Sequence, residues 1–121
     1  MDHNRNLGKI GENIAIHYLK GKGFSIRERN WRYKHKEIDI IAEDNGTLII
    51  VEVKTRGQDR NLYPGDIVPN SKQRYLINAA DAYIRTHEIE TETRFDVIFV
   101  FFDDNLQFEV QHIERAFYPT L

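Results

Sequence analysis

A chain of 121 residues, 40% hydrophobic and 30% charged, is long enough to form one domain over residues 1–121 with a core of its own. It has no cysteine, which excludes a disulfide framework and a thiolate metal site, and no run near the ~18 apolar residues of a membrane span. The net charge of −2 speaks against indiscriminate polyanion binding, yet residues 1–74 hold fourteen Lys and Arg against ten Asp and Glu, while residues 75–121 hold three against nine. A basic front and an acidic back suit a molecule that turns one face to an anion and leaves an acidic C-terminal side for a protein partner. The first residues, Met1 to Asn6, carry no apolar stretch behind a basic start, so no signal peptide is read there; a cytoplasmic location without a membrane partner is the expectation.

Residues 7–22 are predicted as a helix. Leu7, Ile10, Ile14, Ala15, Tyr18 and Leu19 recur at helical spacing, and Gly21 and Gly23 end it. Residues 24–34 read as a strand with a basic outer side. Residues 37–43 and 47–54 read as two more strands, joined by Asp44-Asn45-Gly46, a tight-hairpin signal. A loop from Thr55 to Asn70, rich in Gly, Asp, Asn and Pro, reads equally as a lid or substrate-contacting flap and as a segment that is disordered without nucleic acid. Ser71 to Thr86 then forms a helix capped by Asn70 or Ser71, with Leu76, Ala79, Ala80, Tyr83 and Ile84 on its apolar face. Residues 95–102 are a fourth strand, and residues 106–117 a last one anchored by Ile113 and Phe117. A helix between the third and fourth strands requires a crossover, so the expected architecture is a mixed α/β sheet covered by helices.

The chemistry concentrates on the second and third strands. Side chains alternate along a strand, so Ile50, Glu52 and Lys54 share one face, the last two roughly 6–7 Å apart. Asp39 lies as far before the hairpin turn as Glu52 lies after it, which puts the two carboxylates nearly opposite each other. Two facing carboxylates in an apolar sheet are costly unless a cation sits between them, and a divalent oxygen-loving cation suits the position. Lys54, beside it, either stabilises charge on an attacked phosphate or helps to deprotonate the attacking water. Glu37 shares the face of Asp39 and reads as a flanking acid.

Asp39, twelve intervening residues and Glu52-Val53-Lys54 resemble the D-(x)n-E-x-K core of the PD-(D/E)XK nuclease superfamily, and the predicted element order is similar to its αβββαβ core. Nearly the whole chain resembles the uncharacterised bacterial family UPF0102 (YraN). The pieces that carry this are Gly8-x-x-Gly11-Glu12-x-x-Ala15, Arg29-Asn30-Trp31-Arg32, Glu37-Ile38-Asp39-Ile40-Ile41-Ala42, Val51-Glu52-Val53-Lys54-Thr55-Arg56, Lys72, Arg94-Phe95-Asp96-Val97 and His112-Ile113-x-x-Ala116-Phe117. Ile38 stands where the superfamily usually has Pro, and Lys36 where Gly is expected. That family resembles archaeal Holliday-junction resolvases in its nuclease core. The resemblance implies a restriction-endonuclease-like fold with a mixed central sheet flanked by helices. It also implies a Mg²⁺- or Mn²⁺-dependent endonuclease acting on DNA, branched or otherwise structured, and a homodimer. By position Glu12 matches the helix Glu that completes the metal site beside Asp39 and Glu52 in resolvase-like relatives; its other reading is an acid favoured by the helix dipole.

Around this core, Thr55 and Arg56 follow the catalytic strand closely enough to touch phosphate. Lys72 opens the second helix, where backbone N–H groups attract anions. Gln73 beside it matches a helix position where nuclease relatives use Gln or Lys. Arg27, Arg29, Arg32, Lys34 and Lys36, interleaved with Trp31 and Tyr33, form the candidate nucleic-acid surface, the basic residues for phosphate and the aromatics for bases. The same residues also suit a basic edge strand that blocks sheet-to-sheet aggregation. His112 in the last strand reads as structural. The alternative function is a non-catalytic nucleic-acid-binding or protein-interaction module that retains the nuclease fold.

Overall fold

The computed structural model describes residues 3–57 and 68–119. Its elements are α1 (His3–Gly21), β1 (Ser25–Tyr33), β2 (Lys36–Asp44), β3 (Thr47–Arg56), α2 (Asn70–Thr86), β4 (Thr93–Phe102) and β5 (Phe108–Phe117). The strands form one five-stranded sheet in the order β1-β2-β3-β4-β5. β3 and β4 run parallel, joined by the α2 crossover, and the other neighbouring pairs are antiparallel. The expected mixed α/β sheet flanked by helices is therefore the architecture found. No described helix is long and apolar enough to cross a membrane.

The central strands are apolar on both faces, because each face is covered by a helix. Ile40, Ala42, Ile49, Val51, Ile98 and Val100 pack with Ala15, Ile16 and Leu19 of α1. Ile41, Leu48, Ile50, Val97 and Phe99 pack with Leu76, Ala79, Ala80 and Tyr83 of α2. The Asp44-Asn45-Gly46 signal is a hairpin turn with Asn45 at φ 50° and Gly46 at φ 83°, both left-handed, closed by Asp44↔Thr47. α1 ends in a glycine stop: Gly23, at φ 93°, donates its N–H to the Lys20 carbonyl, and Phe24 donates to Leu19 at 3.0 Å.

Three expectations are corrected. Ile10 is 44% exposed, and Ile16 takes its place in the core; at ~100° per residue Ile10 lies about 180° from Leu19 on the helical wheel. α2 begins at Asn70 behind Pro69, with no side-chain cap, so neither Asn70 nor Ser71 caps it. Thr55 and Arg56 extend β3 instead of opening the loop, and residues 58–67 of that loop lie outside the described residues.

Candidate active site

β2 and β3 are in register from Asp44↔Thr47 to Ile40↔Val51, and one step further Asp39 faces Glu52. The regular pairing ends there, and the Val53 N–H donates to Asp39 Oδ2 at 2.8 Å. Glu52, with only 7% of its surface exposed, is the first acid in the apolar run of β3. Lys72 Nζ of α2 lies 3.4 Å from Glu52 Oε2. Burial pushes the Asp39 carboxyl up from its ordinary 3.8 to about 9, reinforced by the hydrogen bond with Glu52 and the charge on it; the Val53 N–H opposes the rise and Glu12 adds to it. In the metal-free protein Asp39 thus keeps its proton beside Glu52.

This pair lies in a cleft of about 470 Å³ lined by Gly8 and Glu12 of α1, Asp39, the Glu52–Arg56 end of β3, and Pro69 and Lys72. Three acids (Glu12, Asp39, Glu52) and three bases (Lys54, Arg56, Lys72) face the same space. Such a balance becomes cationic once a divalent ion enters. The donor set fits Mg²⁺ or Mn²⁺, because two carboxylates pressed together can both ionise only when a cation joins them. Among the described residues no three Asp, Glu or His side chains close on a common point. Two protein carboxylates, with water and substrate oxygens completing the shell, are the arrangement magnesium prefers.

The structure brings Asp39, Glu52, Lys54, Thr55, Arg56 and Lys72 to this cleft, with Glu12 at its wall. Glu12 accepts a hydrogen bond from Asn30 Nδ2 at 3.0 Å. It does not join the Asp39–Glu52 pair as a third clustered carboxylate. Thr55 is where α1 and β3 meet, since a Cβ on Gly11 would run into Thr55 Oγ1. Arg56 donates to the Thr55 carbonyl at 2.9 Å and lies over Phe99.

The remaining residues are not gathered here. Gln73 turns back to donate to the Val68 carbonyl at 2.9 Å, holding the entry to α2. Glu37 is exposed beside Arg32, 4.0 Å away. The basic segment does not form one continuous face. Arg27 is taken up by the Tyr83 hydroxyl at 2.9 Å and Glu43 at 3.1 Å. Trp31 packs edge-on against Tyr83, their centroids 5.1 Å apart. Arg29 reaches Asn13 of α1, on the other side of the sheet from Tyr83. Only Arg29, Arg32, Lys34 and Lys36 stay exposed along this edge. The sequence reading missed Gly8, Pro69 and Asn30. Pro69 did carry a signal, since proline favours the start of a helix.

A family model described as "Uncharacterised protein family UPF0102" matches residues 11–100. A "UPF0102 protein" of Bacteroides thetaiotaomicron is 45% identical over 120 residues, covering 99% of this chain and 98% of the relative. One from Chlorobium limicola is 44% identical over 125 residues, covering 98% and 97%. One from Flavobacterium psychrophilum is 41% identical over 117 residues, covering 97% of each.

Proposed function

We propose, starting from the fact that the chain belongs to the UPF0102 family, that it is a metal-dependent endonuclease of PD-(D/E)XK type that hydrolyses phosphodiester bonds in DNA, with branched or structured DNA as the substrate class. The observation that carries the reading is the pair of half-buried Asp39 and buried Glu52, set carboxylate to carboxylate across β2 and β3, with Lys54 two residues along the same strand. A pair with no ligand to hold is hard to account for, since a buried carboxylate dyad destabilises the fold without one.

A bound Mg²⁺ or Mn²⁺ supplies Lewis acidity at the attacked phosphate. Asp39 and Glu52 hold it, Asp39 oriented by the Val53 N–H. The Lys54 ammonium neutralises charge developing on the phosphate oxygens as water attacks and the P–O bond breaks, leaving a phosphate monoester and a hydroxyl. Lys72 balances Glu52 from 3.4 Å and lines the same cleft, where its ammonium would pair with a phosphate of the strand when a metal is bound. Arg56 lines the same cleft and holds the strand beside the scissile bond.

The test is cleavage of linear, flap and four-way-junction DNA in Mg²⁺ or Mn²⁺ beside a Glu52→Gln control. Metal-dependent cutting that falls ~100-fold or more in the control is expected. No cutting above the control on any substrate overturns the enzyme reading and leaves the binding module.

A further inference from the structure

β1 brings a third polar residue into line with the carboxylate pair. Arg29 pairs with Ile40 and Trp31 with Ile38, so Asn30 lies across from Asp39 just as Asp39 lies across from Glu52. The pairing lapses at Asn30, whose backbone is left-handed at φ 49°. Asn30 is exposed, so the core gains nothing from that conformation, and Asn is among the few side chains that tolerate it.

The Asn30 carboxamide goes to α1, where its Nδ2 donates to Glu12 Oε1 at 3.0 Å. Beside it Arg29 donates to Asn13 Oδ1, so two successive residues of β1 clasp two successive residues of α1. The helix backbone is already set here by Gly11 against Thr55 of β3. What the Asn30 contact adds is the direction of one side chain. It holds Glu12 at the cleft wall, near enough for its charge to bear on Asp39, yet outside any cluster of three carboxylates among the described residues. Among those residues Glu12 accepts only from Asn30, which leaves its second oxygen able to accept within the cleft.

We infer that Asn30 is a positioning residue of this cleft: its carboxamide fixes Glu12 as an acceptor outside the ligand set, beside Asp39 and Glu52 and not as a third ligand with them. The inference rests on the metal-dependent reading above and adds to it a residue that touches neither metal nor substrate. Magnesium and manganese keep part of their water shell, and a carboxylate next to the ligands raises affinity by accepting from that shell only while its direction is held. The β1 backbone bends into the left-handed region at the one position from which a short amide reaches Glu12.

Calorimetric titration of Mn²⁺ into the full chain tests it, with Asn30→Gly as the first variant. Glycine adopts a φ of 49° freely, so this change removes the donor and leaves the backbone unstrained. Its urea midpoint is expected to stay near that of wild type, while its Mn²⁺ affinity falls about tenfold or more. Glu12→Gln is expected to fall as far, and adding Asn30→Gly to Glu12→Gln to cost no further affinity, because Asn30 acts through Glu12. An Mn²⁺ affinity that holds or rises in Asn30→Gly overturns the inference, the more so if the urea midpoint drops and the contact is only a clasp between β1 and α1. A double variant that loses affinity beyond Glu12→Gln overturns it as well. These results leave the metal-dependent reading standing, whereas a wild type that binds no Mn²⁺ overturns both.

Discussion

Asp39 keeps its proton in the metal-free protein because ionising it, partly desolvated beside buried Glu52, sets two like charges side by side. Its folded pKa lies above the unfolded value, so it contributes stability below the ordinary 3.8 that is lost as pH rises toward about 9. Asp39→Asn keeps an oxygen for the Val53 N–H and a donor for Glu52, and it removes the titration. In EDTA the variant is expected to be more stable than wild type by ~1 kcal/mol or more at pH 8, the gap closing toward pH 4, read from thermal melts across pH. Mg²⁺ should raise the melting temperature of wild type and not that of the variant. Equal pH slopes for the two proteins would break the account of a protonated Asp39. Asp96 has the opposite sign. Burial pushes its carboxyl up, but His112, Arg94 and the Arg115 N–H outweigh burial and hold it below the usual value. Its contribution is present above 3.8 and is lost as pH falls through its lowered folded value.

At the scale of elements, two contacts fix how the helices and edge strand meet the sheet. Gly11 lets α1 rest on β3, and a methyl there meets Thr55 Oγ1. Gly11→Ala is expected to cost roughly 1–3 kcal/mol in urea unfolding, and Thr55→Ala in the same chain should recover part of it. A loss that Thr55→Ala leaves unchanged would place the strain elsewhere. On the other side, β5 shifts register between its pairings with Phe95 and Val97, and the Arg115 N–H turns to Asp96 Oδ1 at 3.0 Å. Asp96 also accepts from His112 Nε2 at 2.8 Å and from Arg94 Nη2 at 3.0 Å. Asp96→Ala strands all three donors and should destabilise by about 3–5 kcal/mol at pH 7.

The β2–β3 hairpin was legible because Asn45-Gly46 dictates its turn, and the turn dictates the register that sets Asp39 against Glu52. What stayed hidden depends on contacts distant in sequence. Nothing near Arg27 or Trp31 announces Tyr83, which lies more than fifty positions on and internalises both. Nor does the sequence announce that α2 brings Lys72 within 3.4 Å of Glu52. Ile10 was misplaced because spacing alone does not say how wide an arc of α1 the sheet covers: Leu7, Ile14 and Tyr18 pack against the core beside Ala15 and Leu19, and Ile10 lies just outside that arc.

For the whole molecule, strand order follows chain order, so the charge asymmetry of the sequence becomes an asymmetry in space. Exposed Arg29, Arg32, Lys34 and Lys36 lie at the β1–β2 edge, and Asp103, Asp104 and Glu114 at the β4–β5 edge. Reversing Arg32 and Lys34 to Glu is expected to weaken DNA binding about equally for every sequence and to flatten its salt dependence, measured by fluorescence anisotropy at several salt concentrations. An unchanged salt slope would move the DNA surface off that edge.

The central claim is that Asp39 and Glu52 together hold one divalent ion. Its most direct test is titration calorimetry of Mn²⁺ into the protein at pH 7–8, in two buffers of different ionisation enthalpy. The account predicts one site, release of close to one proton on binding, and loss of the site in Asp39→Asn and Glu52→Gln. Binding that survives both substitutions, or that releases no proton, would contradict it.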